Sequence, residues 1–419
     1  MKKLCIGMLL TASTHHVGNV AVEEQIAFAQ RAEAAHIDFV FRADYLGAKP
    51  ELIAKSKGNV AVDPLFLMGA VAQATTHIGL VTTVSTSFNP PYIIARQLQS
   101  LHWLSNWRMG WNIVTSIDGA ENFSAQAMPP SEERYRKAAE CTEVVRKLWQ
   151  SYPYEALTAE SDIAKIKALV QPIHHHGEFF DVTGPLNVPA HPSGEMPFFQ
   201  AGASEAGRNF AASIAHGVFA ATPHPSIGKE LRLDLRARAI AQGRDPNTVR
   251  LLPGVYFFIG DTTEEAQEMY HEAHAYLTTE RRLDFLKMTI AADLSHLALT
   301  DKVTLALLPA EDAPVRSKTH AKLLRSYVAM HEPTLEELLA RPEVIGAAHW
   351  VVMGTAEQVA KQLSEAFYDG ALDGFIAVPG GPAKSLDLFF DKVLPLFVAQ
   401  GIFKSQYEGA TLRAHLGLQ

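Results

Sequence analysis

At 419 residues, 47% of them apolar, the chain is long enough to bury one large core or two to three smaller ones. Its 45 acidic residues outnumber 37 basic ones, and the formal charge of −8, with no basic run, argues against nucleic acid or an acidic membrane surface as partner. No run of about 18 apolar residues occurs, so no membrane span is expected. Cys5 and Cys141 are far apart, in apolar or amphipathic segments, which suits a reducing cytoplasm and gives no disulfide or metal pattern.

The opening stretch, Met1 to Leu10, has too short an apolar run for a signal peptide, and Leu4 to Leu10 reads as a first strand. Strand-like and helix-like segments then alternate: a helix over Glu23 to Ala35, a strand over Asp38 to Phe41, a helix over Pro64 to Thr76, a strand over Ile78 to Val84 and a helix over Tyr92 to Leu104. Asp63 before Pro64 predicts a capped helix start, because proline at the first helical position loses no needed N–H. A strand over Gly110 to Ser116 follows, and then a helix from Ser131 to Gln150 with two acidic residues in its first turn.

From Tyr152 to Pro197 the pattern breaks into turn residues, with Gly177 to Val182 reading as one arm of a hairpin. The alternation resumes with strands over Phe198 to Ala201, Gly217 to Ala221 and Arg250 to Ile259, separated by helices over Glu205 to Ala215 and Ser226 to Gln242. A charged helical region spans Thr263 to Leu339; the end of the chain carries a capping box at Thr355 and Gln358, a helix stopped by Gly370, and a strand over Gly374 to Val378. About eight strands alternating with helices predict an α/β chain, a (β/α)8 TIM barrel with insertions at its C-terminal face. Residues 1–419 are read as a single barrel domain, with insertions at about 152–197 and 278–350.

Sites in such barrels lie at the C-terminal strand ends, and polar residues recur there. Asp44 ends the second strand; Thr82, Thr83, Ser85 and Thr86 crowd the third; Asn112, Thr115 and Ser116 the fourth; Gln200 to Ser204 the fifth. Any one of these could simply cap a helix or brace a loop, but their recurrence on successive strands points to a pocket for a polar ligand. Ser204, between Gly202 and Gly207 at a helix start, suits a phosphate. His16, just past the first strand, is a candidate proton donor. The pairs and triplets His15-His16 and His174 to His176 lack metal-ligand spacing, so no metal site is expected.

The segments Phe41 to Gly47, Ser85 to Arg96, Gly110 to Ser116, Glu133 to Tyr135, Gln200 to Ala212 and Tyr407 to Arg413 together resemble the bacterial-luciferase-like flavin monooxygenases. Within them the chain is similar to the branch of nitrilotriacetate, sulfone and long-chain alkane monooxygenases. That resemblance implies a flavin-dependent monooxygenase using FMN in its reduced form, FMNH2, with O2 as co-substrate. It also implies a separate NAD(P)H-dependent flavin reductase as partner, a small organic substrate, and a homo-oligomer, dimer or tetramer, in the cytoplasm. Carried over by position, Asp44, Thr83, Asn112 and Tyr135 would contact the isoalloxazine and ribityl parts, Ser204 would hold the phosphate, and Thr82-Thr83 would carry a non-proline cis peptide. The chain departs from the branch at His102, Trp107 and Ser131, which replace an acidic residue, a turn glycine and a histidine, and in a shortened loop over 14–20. Two alternatives stay open: hydride transfer with a deazaflavin, and flavin binding without catalysis.

Overall fold

The computed structural model describes residues 3–11, 20–47, 50, 53, 60–124, 127–159, 162–202, 204–311, 313–315, 317–345 and 348–418. Two compact units emerge, one comprising residues 6–201, 209–217 and 405–419, the other residues 1–5, 202–208 and 218–404.

The first unit is built on the parallel strands β1 (Cys5–Leu9), β2 (Phe39–Arg42), β3 (Gly79–Ser85) and β4 (Met109–Val114), then, past a small antiparallel hairpin of β5 (His175–His176) and β6 (Asp181–Val182), on β7 (Phe198–Ala201). Their order is β1-β2-β3-β4-β7. The register sets Phe41 beside Val81, Val81 beside Gly110, Thr83 beside Asn112, and Asn112 beside Phe199. Residues that share a register row point to one face. Trp111 and Phe198 point the other way, where their rings meet Trp149 of the helix Ser131–Gln150.

The face away from that helix changes character along the strands. At the N-terminal end Gly79 and Gly110 leave room for Leu412, which a side chain at either glycine would strike. Phe39 and Phe199 pack with ring centroids 5.1 Å apart above it. Only at the C-terminal end do Thr83 and Asn112 bring polar atoms to this face. The C-terminal segment is anchored below: the Tyr407 hydroxyl donates to the Ile37 carbonyl at 2.7 Å and its ring stacks on His77.

Helix starts follow the sequence where a cap is written in it. The Asp63 carboxylate accepts the Leu65 N–H at 2.8 Å and opens Pro64–Ala74. Strand β4 stops at Val114, so Thr115 and Ser116 fall just beyond it rather than within it. The expected hairpin arm over Gly177 to Val182 is instead the turn plus its second strand. The cause is Glu140, whose carboxylate accepts the N–H groups of Phe179 and Phe180 and draws them out of any ladder. A Cβ at Gly177 would push against the same carboxylate.

The second unit contains β8 (Gly217–Ala220), β9 (Arg250–Ile259), β10 (Trp350–Gly354) and β11 (Gly374–Pro379), all parallel where their registers are defined, with β9 between β10 and β11. The Thr355–Gln358 capping box forms in full and Gly370, at φ 75°, ends that helix as expected. The charged region resolves into helices Thr263–Ala273, Thr279–Ile290, Lys318–His331 and Leu335–Leu339, of which the last three share a buried cluster that includes Leu286, Leu324, Val328 and Leu338. Strand β10 was not anticipated; it sits at the edge of the expected insertion, too short and too uniformly apolar to stand out by period.

Candidate functional site

The polar end of β3 and β4 is organised by a directed relay. The Thr83 hydroxyl donates to the Arg42 carbonyl at 2.8 Å, so its oxygen is left to accept. Asn112 fills that role with its amide NH2, 2.9 Å away. This fixes which way the Asn112 amide points. Its Oδ1 therefore faces away from Thr83, buried with the side chain only 2% exposed, and has no partner among the described residues. A buried carbonyl without a donor costs about 1–3 kcal/mol, which a ligand N–H placed against it would recover.

On the neighbouring strand, Gln200 gives its amide N–H to the Tyr135 hydroxyl at 3.2 Å, which leaves the phenol's own proton to donate. The Gln200 Oε1 is likewise buried and unpartnered. Tyr135 is held from behind by Phe210, centroids 5.7 Å apart. One helix thus carries a donor on the side facing β7, while its other flank braces the loops.

Asp44 lies beyond β2, its carboxylate accepting the next N–H, from Tyr45, at 2.9 Å. Burial pushes its carboxyl above the usual range, a nearby Asp63 adds to this, and the Tyr45 amide and Arg42 oppose it. The same loop is tied across to the one after β4: the Tyr45 hydroxyl donates to Asp118 at 3.1 Å, and Asn122 donates to the Leu46 carbonyl at 3.0 Å.

Several neighbours serve only the fold. Ser85 and Ser116 share a hydroxyl–hydroxyl bond of 2.7 Å, Ser116 N–H donates to Ser87, and Thr86 donates to the Val114 carbonyl, so these residues brace loops. The expected cis peptide at Thr82-Thr83 is not present: the one cis bond among the described residues is Gly184-Pro185. Both threonines continue the β3–β4 ladder, Thr82 beside Trp111 and Thr83 beside Asn112, which an all-trans strand sustains.

Of the six candidate residues, the structure joins Thr83 directly to Asn112 and links Tyr135 to Gln200. Ser204 belongs to the other compact unit, where its hydroxyl accepts the Gly207 N–H at 3.2 Å as a helix cap does. His16 lies outside the described residues. Ser131 is the first residue of its helix and makes no side-chain cap. Two residues went unremarked in sequence: Arg42, whose backbone carbonyl orients the relay, and Lys137, whose ammonium holds the Ser87 carbonyl at 2.8 Å. A carbonyl carries no sequence signal, whereas Lys137 follows Arg134 by three positions and could have been paired with it by helical spacing.

Residues 6–373 match the model of a family described as luciferase-like monooxygenase. The chain is 33% identical to N-acetyl-S-(2-succino)cysteine monooxygenase of Bacillus subtilis (strain 168), covering 100% of this chain and 97% of that one. It is 34% identical to nitrilotriacetate monooxygenase component A of Aminobacter aminovorans, over 97% and 92% of the two chains. Among solved structures, riboflavin lyase crystallised with modified FMN and riboflavin is 28% identical, with a TM-score of 0.84 over 100% of this chain and 96% of that one. Likeness of this extent shows the fold to be a (β/α)8 barrel of the α/β class.

Proposed function

The chain belongs to the luciferase-like monooxygenase family and is a flavin-dependent monooxygenase, and from that premise we propose that it is the oxygenating half of a two-component system. It takes reduced FMN from a separate NAD(P)H-dependent flavin reductase and uses O2 to oxygenate a small organic substrate. It works as a homo-oligomer in the cytoplasm, with residues 1–419 forming one barrel domain.

The residues fit such a cofactor. Asn112 Oδ1 is an acceptor in want of an N–H, which a flavin ring offers, and Tyr135 is a donor in want of an oxygen, which the ring carbonyls or the ribityl chain offer. Reduced FMN, when bound, supplies the two electrons with which O2 delivers one oxygen atom to the substrate and the other to water.

The chain's own residues do the rest. Thr83, locked by the Arg42 carbonyl, keeps the Asn112 amide in the acceptor-outward orientation, so no reorganisation is needed when the ring arrives. Phe199 and Phe39 lay an apolar floor that excludes water from below. Asp44 would contact the ring from the loop after β2, Ser204 and the amides that follow it would hold the phosphate, and His16 would serve as the proton donor.

The single observation that carries this reading is the unpaired Asn112 carbonyl. The wild-type protein should bind FMN at micromolar concentration, followed by quenching of flavin fluorescence, and should consume O2 when reductase and substrate are present. Asn112→Leu should weaken flavin binding by about tenfold or more, since about 1.4 kcal/mol corresponds to a factor of ten, while its unfolding midpoint stays level or rises because a buried polar group has gone. Equal affinity in the two proteins overturns the role of Asn112. Absence of flavin binding by the wild type overturns the reading itself.

A further inference from the structure

On the flank of helix Ser131–Gln150 opposite Tyr135, the loops after β3 and β4 line a partly open cavity of about 270 Å³. That lies just below the range of ordinary ligand pockets, about 300–1,000 Å³, so its occupant is small. One wall is apolar: Phe88 stacks on Phe123 with centroids 4.3 Å apart and planes 8° from parallel, beside Met128. Phe123 remains 50% exposed, an aromatic surface that the fold leaves uncovered.

The other wall is cationic. Arg134 spends Nε on the Pro129 carbonyl and Nη1 on the carbonyls of Thr115 and Ser116, while Lys137 spends one N–H on the Ser87 carbonyl. Lys137 also lies 5.7 Å from the centre of the Phe180 ring. These bonds fix both head groups without neutralising them. Neither cation meets a carboxylate within ion-pair distance among the described residues, and Arg134 Nη2 has no acceptor there. Both sit in the first two turns of a 20-residue helix, whose field adds to the positive potential. Glu133 lines the same cavity, so the three charged side chains sum to one positive charge, which suits a monoanion and disfavours a polycarboxylate.

We propose that this cavity is a separate ligand site for a small arene carrying one negative charge, its ring against Phe88 and Phe123 and its anionic group on Lys137 and Arg134. None of its lining residues is among those assigned to the flavin, and Ser87 joins it to the loop after β4 by accepting the Ser116 N–H.

Titration calorimetry of the protein with and without FMN, using benzoate, its neutral isostere benzamide and the dianion phthalate as probes, tests it. Benzoate should bind without displacing FMN, with benzamide about tenfold weaker, as the loss of one charge-assisted contact of 1.4 kcal/mol gives, and phthalate weaker through repulsion of its second charge by Glu133. Lys137→Met should weaken benzoate by a similar factor and leave FMN affinity unchanged; Phe123→Ala, at an exposed ring, should do the same without risk to the fold. Failure of benzoate to bind, equal binding of benzoate and benzamide, indifference to both substitutions, or displacement of FMN by benzoate overturns the proposal. FMN binding is read separately in the same series, so its absence strikes the flavin reading while a benzoate failure with FMN bound strikes this ligand site alone.

Discussion

Strands β3 and β4 begin and end with buried polar groups, and the two ends treat them differently. At the N-terminal end Arg108, 1% exposed, donates five hydrogen bonds, from Nε to Ser105, from Nη1 to Thr75 and Ile78, and from Nη2 to Ala72 and Thr75. Glu33 answers it by accepting the N–H groups of Thr76, His77 and Ile78. Burial alone would raise the Glu33 carboxyl, yet these three amides and Arg108 hold it below the usual range. At the C-terminal end, four residues along β4 from Arg108, Asn112 is equally buried and keeps an acceptor unused. A satisfied buried network stabilises and specifies a fold; an unsatisfied one marks where a ligand completes it.

The largest test of this contrast is Arg108→Met. It leaves the carbonyls of Ala72, Thr75, Ile78 and Ser105 without their donor and should cost on the order of 4 kcal/mol, read as a shift of the urea midpoint. Flavin affinity of the folded fraction should hardly move. A loss below about 1 kcal/mol would mean that water replaces the guanidinium, and the contrast would fail.

His102 is the exception that sharpens it. It lies at the structural end too, on the helix Pro91–Leu104, but both ring nitrogens are buried and, among the described residues, without partners. Burial, then His191 and Arg413, holds its pKa down to about 3 from the ordinary 6.5. As pH falls below 6.5 the unfolded chain takes up the proton first, so stability that is fully present above that pH is lost progressively towards 3. His102→Leu should flatten this acid limb and raise the midpoint near about pH 5 relative to the parent. An unchanged limb would place the acid sensitivity elsewhere.

The smallest effect is expected at the functional end. Asp44 has its carboxyl raised by burial, so its ionised form opposes folding at neutral pH and its protonated form does not. Asp44→Asn keeps an oxygen for the Tyr45 N–H and should raise thermal stability slightly at neutral pH. The gain should vanish as pH falls below 3.8, where Asp44 is protonated in both states. A gain that persists in acid would assign the effect to packing instead.

The turn before β4 shows how a strained backbone is absorbed. Asn106 and Trp107 take φ of 49° and 66°, the left-handed region where glycine is at ease and other residues are strained. Trp107 offsets this with ring contacts: it meets Trp103 edge-on at 4.6 Å, stacks on His191, and touches His102. The Trp103 indole and the Gln99 amide both donate to the Pro189 carbonyl, so the segment that interrupts the barrel pattern is docked at this aromatic nest.

Much of this was legible in the chain. Strand and helix periods, the Asp63 cap, the Thr355–Gln358 box and the polar residues ending β3 and β4 are local properties, set by a side chain's chemistry and its distance along the sequence. The resemblance of Gly110 to Ser116 and Gln200 to Ala212 to flavin monooxygenases was legible for the same reason. What no local rule could give is which polar residue at a strand end is satisfied. Ser116 was claimed by Ser85, the turn at Phe179 by Glu140, and Trp107 by His191, each partner at least 30 residues away. Asn112 differs from Ser116 only in what its neighbours leave over. Parallel register brought Thr83 beside it, the Arg42 carbonyl fixed the direction of the hydroxyl, and that direction decided that an acceptor, not a donor, stays open.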